Sequence, residues 1–138
     1  MPQVPINYLA VLGAALASMA LGALWYGPLF GKEWAKLAGV SLSGPKPKMG
    51  KSYALMFVGA LLMSYVLAHS LVFASAYLGA SGPSAGIMVG VWNWLGFIAP
   101  VTLSSVLWEG KLWKLWFLNN GYYLILLAGM GIILSVWT

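Results

Sequence analysis

Charged and uncharged positions fall into long separate blocks along this chain. From Met1 to Gly31 no side chain is charged, and Ile6 to Phe30 exceeds the roughly 20 apolar residues that cross a hydrocarbon core of about 30 Å. The pattern predicts a first helix over 6–30. Lys32 to Lys51 then brings five lysines, Glu33 and the stretch Ser41-Leu42-Ser43-Gly44-Pro45-Lys46-Pro47-Lys48, whose prolines and glycine cannot continue a helix. This reads as an aqueous loop, 31–51, which opens with a short interfacial helix over Lys32 to Leu37.

Between Lys51 and Glu109 only His69 can carry a charge. As one helix this stretch would be about 85 Å long at about 1.5 Å per residue, so it must turn once. Gly79-Ala80-Ser81-Gly82-Pro83-Ser84 is the cluster of turn residues that permits it. Helices are therefore expected over 52–78 and 85–108. Glu109 to Lys114 forms a second charged loop, 109–114, and a fourth helix covers 115–137. The expected fold is all-α: a polytopic integral membrane protein, a four-helix bundle in a single domain, 1–138.

Composition sharpens the exclusion of a soluble domain. The 138 residues are 62% hydrophobic and 7% charged, against roughly a quarter charged in an ordinary soluble domain. Folded in water, such a chain would expose large contiguous apolar patches. Its seven basic residues are all lysines and all lie in the two charged loops, so the bias of positive residues toward the cytoplasm puts those loops inside and both termini outside. Trp34, Trp108, Trp113 and Trp116 flank the cytoplasmic boundary, and Trp137 marks the opposite one. The opening Met1-Pro2-Gln3-Val4-Pro5 lacks the basic region of a secretory signal, so the first apolar block is expected to stay as a span.

The net charge of +5 does not point to nucleic acid, which needs cations spread over polar surface and favours arginine forks. It suits attraction to anionic lipid headgroups at the cytoplasmic lysines. With no cysteine there is no disulfide framework, thiolate metal site or cysteine nucleophile. An internal echo links the two charged loops: Gly31-Lys32-Glu33-Trp34 and Gly110-Lys111-Leu112-Trp113 each follow an odd-numbered helix. Either the chain is a parallel duplication, or short cytoplasmic loops simply favour these residues.

Apolar solvent gives helices little reason to associate except close approach of small residues and polar bonds across the contact. Ala10, Ala14, Ser18 and Gly22 recur every four residues on the first helix, followed by Tyr26, while Gly121, Ala128 and Ser135 lie at heptad spacing on the fourth. Both stripes read as packing faces. On the third helix Asn93, Gly96, Pro100 and Ser104 share one face, and Thr102, Ser105 and Glu109 the opposite one. A helix polar on two sides is expected to lie centrally, kinked at Pro100, with a freed carbonyl satisfied by a neighbour.

Two constellations are candidates for chemistry. The first is an intramembrane polar site of His69, Tyr65, Asn93, Pro100 and Ser104. His69 is the sole histidine; it is either a proton carrier, ligand donor or gate, or a neutral imidazole satisfied by its neighbours. The second is a cytoplasmic vestibule of Tyr26, Ser105, Glu109, Asn119, Asn120 and Tyr123, with Tyr122 beside them. Unpaired amides are costly one turn inside an apolar helix, so Asn119 and Asn120 are expected to bond across to the first or third helix. No metal site and no cofactor are expected, since one histidine and no cysteine cannot supply ligands within one chain.

The run Gly22-Ala23-Leu24-Trp25-Tyr26-Gly27-Pro28-Leu29-Phe30-Gly31-Lys32-Glu33-Trp34 resembles the opening signature of a prokaryotic membrane family known as domain of unknown function 1761. Gly96-Phe97-Ile98-Ala99-Pro100, Leu107-Trp108-Glu109-Gly110-Lys111 and Asn119-Asn120-Gly121-Tyr122-Tyr123 resemble its second signature. The resemblance implies a four-helix protein of the prokaryotic inner or plasma membrane and no particular reaction. Three functions are weighed. One is a homo-oligomeric small transporter or channel-like component, and another a non-catalytic assembly protein packing against other membrane subunits. An enzyme is the least favoured, because no paired carboxylates, Ser-His-Asp set or phosphate-cradling loop is present.

Overall fold

The computed structural model describes residues 5–39 and 50–137. The expected loop Ser41 to Lys48, including Lys46, and the opening residues 1–4 lie outside the described residues. Among the described residues every regular element is helical: α1 (Tyr8–Leu24), a π turn (Trp25–Leu29), α2 (Gly31–Ala38), α3 (Gly50–Leu78), α4 (Gly82–Asn93), a second π turn (Trp94–Ile98), α5 (Ala99–Thr102), α6 (Ser104–Leu107) and α7 (Trp113–Val136). Four segments, Tyr8–Leu29, Gly50–Leu78, Gly82–Leu107 and Trp113–Val136, are long and apolar enough to cross a membrane.

Local chemistry sets the ends. Asn7 caps α1, its Oδ1 accepting from the amides of Leu9 (3.1 Å) and Ala10 (3.2 Å). Gly79 and Gly82, at φ of +68° and +76°, reverse the chain between α3 and α4 in a backbone region that side chains avoid. Pro83 follows in the first turn of α4, where its missing N–H costs nothing, so this helix begins ahead of the expected Ala85.

The segments run alternately up and down. Asn7 Nδ2 donates to the Trp137 carbonyl at 3.0 Å, and the Trp137 ring covers Gly13, so the beginning of α1 and the end of α7 share one end with the α3–α4 turn. Lys32, Lys36, Lys51 and Lys114, in α2, α3 and α7, and Lys111, in the connection before α7, lie at the opposite end.

α4 and α7 form the most extensive pairing. A Cβ at Gly86 would collide with the Gly131 backbone, one at Gly131 with that of Gly86, and one at Gly90 with Leu127. Gly82, Gly86 and Gly90 recur every four residues, the spacing that lets helix backbones touch. The small-residue face of α1 is also inward: Ala10, Ala14 and Ser18 are buried, and Tyr122 Oη would sit 2.9 Å from a Cβ at Gly22. Ser64, fully buried on α3, donates to the Val11 carbonyl at 2.9 Å and joins α3 to α1.

Three expectations need correction. The first helix is not continuous over 6–30, because Pro28 has no amide for the Leu24 carbonyl and Gly27 leaves helical geometry at φ −107°, ψ −106°. The third segment is disrupted from Trp94 rather than at Pro100 alone, because a proline ring crowds the turn that precedes it. Nor is the third segment central. α7 is, with 39% of its most apolar stretch buried against 22% for the third segment. Most polar residues of the third segment need no central partner, since Asn93, Ser104 and Ser105 each bond a carbonyl of their own segment.

Candidate functional site

Both interrupted segments converge on Asn119-Asn120-Gly121 of α7. Each π turn begins with a tryptophan and carries glycine two residues on: Trp25-Tyr26-Gly27 and Trp94-Leu95-Gly96. In each, one amide reaches five residues back, Phe30 to Trp25 (2.8 Å) and Ala99 to Trp94, which widens the turn.

Tyr26 Oη donates to Asn119 Oδ1 at 2.7 Å, and the Trp25 ring lies over Gly121, 3.7 Å from where a Cβ would stand. From the other side Trp94 Nε1 donates to the Asn120 carbonyl at 2.9 Å. The Thr102 hydroxyl lies 3.0 Å from Asn120 Oδ1 but also 2.8 Å from the Ile98 carbonyl, so its one proton is shared between them. Asn120, 1% exposed, donates through Nδ2 to Trp116 O at 3.0 Å. Both asparagines thus bond across the bundle, Asn119 to the first segment and Asn120 to the third.

Beside this junction lies a pocket of about 310 Å³ between α5, α6 and α7, lined in part by Thr102, Ser104, Ser105, Asn119, Asn120 and Tyr123. The indole N–H of Trp116, another lining residue, is buried with no partner among the described residues, as is that of Trp25. Tyr26 also belongs to an aromatic cluster, meeting Tyr122 edge-on at 5.1 Å and Trp34 at 5.7 Å.

Of the vestibule residues expected from sequence, Ser105, Asn119, Asn120 and Tyr123 line this pocket and Tyr26 bonds one of them. Glu109 does not line it and lies exposed one turn beyond Ser105.

The expected intramembrane set is not brought together. His69 lies half-buried on α3, its ring between Tyr65 (4.4 Å) and Phe73 (6.3 Å), with Nδ1 2.8 Å from the Tyr65 carbonyl. A carbonyl only accepts, so Nδ1 carries a proton in this contact. Asn93 bonds Val89 O at 2.8 Å within its own helix, Pro100 is exposed, and Ser104 belongs to the other pocket. Apolar alternation cannot reveal this separation, because α3 is apolar all round and does not mark which flank faces inward.

Sequence reasoning missed Trp94, Thr102 and Trp116 as site residues. The recurrence of Trp-x-Gly ahead of a proline in both odd-numbered segments was the available signal.

At the opposite end an open, mostly apolar cleft of about 810 Å³ is lined by residues of α1, α3 and α7, among them Ala10, Leu71, Ser75 and Trp137. Buried Leu126, Leu127 and Met130 occupy the α7 stretch between pocket and cleft. Among the described residues no three of His, Cys, Asp and Glu are placed to hold a metal ion.

Nothing among curated proteins or solved structures matches the chain. A family model described as "Protein of unknown function (DUF1761)" matches residues 9–135, nearly the whole chain, a range that includes both π turns. The chain belongs to that family of proteins of unknown function.

Proposed function

We propose that this is a four-span protein of the prokaryotic cell membrane with both termini outside, acting as a small homo-oligomeric transporter or channel-like component. One observation carries the reading: two discontinuous segments meet a third helix at its asparagine pair, beside a polar pocket. Broken helices in membranes are tolerated where their backbone is buried in protein or lines a water-filled cavity, and in transporters they form substrate sites. Lysine gathered at one end supports the orientation and a contact with anionic headgroups.

Leu126, Leu127 and Met130 separate the pocket from the cleft, so passage requires movement of the π turns or a route between subunits. We assign the chain no reaction of its own. The test is flux in proteoliposomes: solute passage by the unaltered protein, reduced in Asn119→Leu, supports the reading, and absence of passage for ionic and neutral solutes alike ends it. The same separation favours a second reading, a non-catalytic subunit packing in a larger membrane assembly. Native mass spectrometry after gentle extraction distinguishes a homo-oligomer from a complex with other subunits.

A further inference from the structure

We infer that the pocket between α5, α6 and α7 binds a small uncharged solute that both donates and accepts hydrogen bonds, of the polyol or urea class. The inference deepens the transport reading and rests on it for the solute's passage, but not for its binding.

Size comes first. About 310 Å³ lies at the lower edge of the roughly 300–1,000 Å³ typical of ligand pockets, and equals about ten water volumes at about 30 Å³ each. A solute of up to about ten heavy atoms fits with its hydration partly replaced.

Polarity follows from where the protons go. Ser104 donates to Val101 O (3.1 Å), Ser105 to Thr102 O (2.8 Å), and Thr102 to Ile98 O (2.8 Å) or Asn120 Oδ1. With their protons committed, these three hydroxyls present lone pairs. Asn119 Nδ2 and Tyr123 Oη are N–H and O–H groups with no acceptor among the described residues. An apolar occupant would leave donors and acceptors unmade, at about 1–3 kcal/mol for each buried group. A hydroxyl or amide solute satisfies both kinds.

Charge is excluded by the same lining. Among the described residues no carboxylate, lysine or histidine lines the pocket, so an ion would lose hydration without a counter-charge, at a cost of several kcal/mol.

The test uses the full chain in two assays. Saturation-transfer NMR in detergent reads binding of erythritol and urea against choline and acetate, and stopped-flow light scattering of proteoliposomes reads passage of the same four solutes. Erythritol or urea should bind and pass, with at least a ten-fold loss of binding in Asn119→Leu and none in Ser135→Ala, which lies outside the pocket. If Asn119→Leu does not fold, Ser105→Ala, which loses a hydroxyl bonded only within its own segment, supplies the same comparison. Binding without passage upholds the pocket and overturns transport. Passage of choline or acetate that Asn119→Leu abolishes upholds transport and overturns the uncharged class. Failure of erythritol and urea to bind overturns the inference outright.

Discussion

Tyr26 Oη lies 2.7 Å from Asn119 Oδ1, joining the first π turn to α7 across 93 positions of sequence. Bonds of this kind average about 0.6 kcal/mol in membrane helices and reach about 1.7. A double-mutant cycle of Tyr26→Phe and Asn119→Ala, followed by unfolding in mixed micelles, should give a coupling of about 0.5–1.5 kcal/mol. A coupling of zero would mean that this contact does not hold the turn.

The α4–α7 crossing is set by backbone contact, so added methyl groups have opposite effects two residues apart. Gly131→Ala drives a Cβ into Gly86 and should destabilise by about 1–3 kcal/mol. Gly129→Ala meets nothing within 4 Å and should be neutral, or stabilising by up to about 1 kcal/mol through helix propensity. Thermal unfolding in detergent reads both, and equal effects would remove the crossing from the account.

The two π-turn tryptophans are similar in sequence yet unequal in bonding. Trp94 Nε1 has the Asn120 carbonyl, whereas Trp25 Nε1 is buried with no partner among the described residues. Trp94→Phe gives up a bond and Trp25→Phe removes an unpaired donor, so the first should cost about 1 kcal/mol more than the second. The reverse order in an unfolding titration would contradict the assignment of these indoles.

The natural absence of cysteine makes the orientation directly measurable. A single Ser81→Cys, at an exposed turn whose serine makes no capping bond, should react with an impermeant maleimide on intact cells. Lys111→Cys should react only after permeabilisation. The opposite pattern would invert the topology.

Much of the site was legible before the structure because of cost. Amides such as Asn119 and Asn120 within an apolar helix need partners, so bonding across the bundle could be expected from their type and position alone. His69 was different. Its local bond to Tyr65 O is also one an isolated helix could make, and nothing in its sequence neighbourhood separates that outcome from a shared site with Asn93 and Ser104. The first break was within reach in Gly27-Pro28, and the α4 contact in Gly82, Gly86 and Gly90.

Sequence alone determined the four apolar segments, the two charged connections and the lysine-bearing end, because transfer out of water depends on each segment's own composition. Which faces meet was decided only by the tertiary structure. Segments apolar on every side carry no stripe that marks an inward face, and the pairing depends on contacts between particular backbones and side chains, such as Gly86 on Gly131 and Tyr26 on Asn119. Those contacts placed α7 at the centre and brought the two π turns to one pocket while leaving His69 apart.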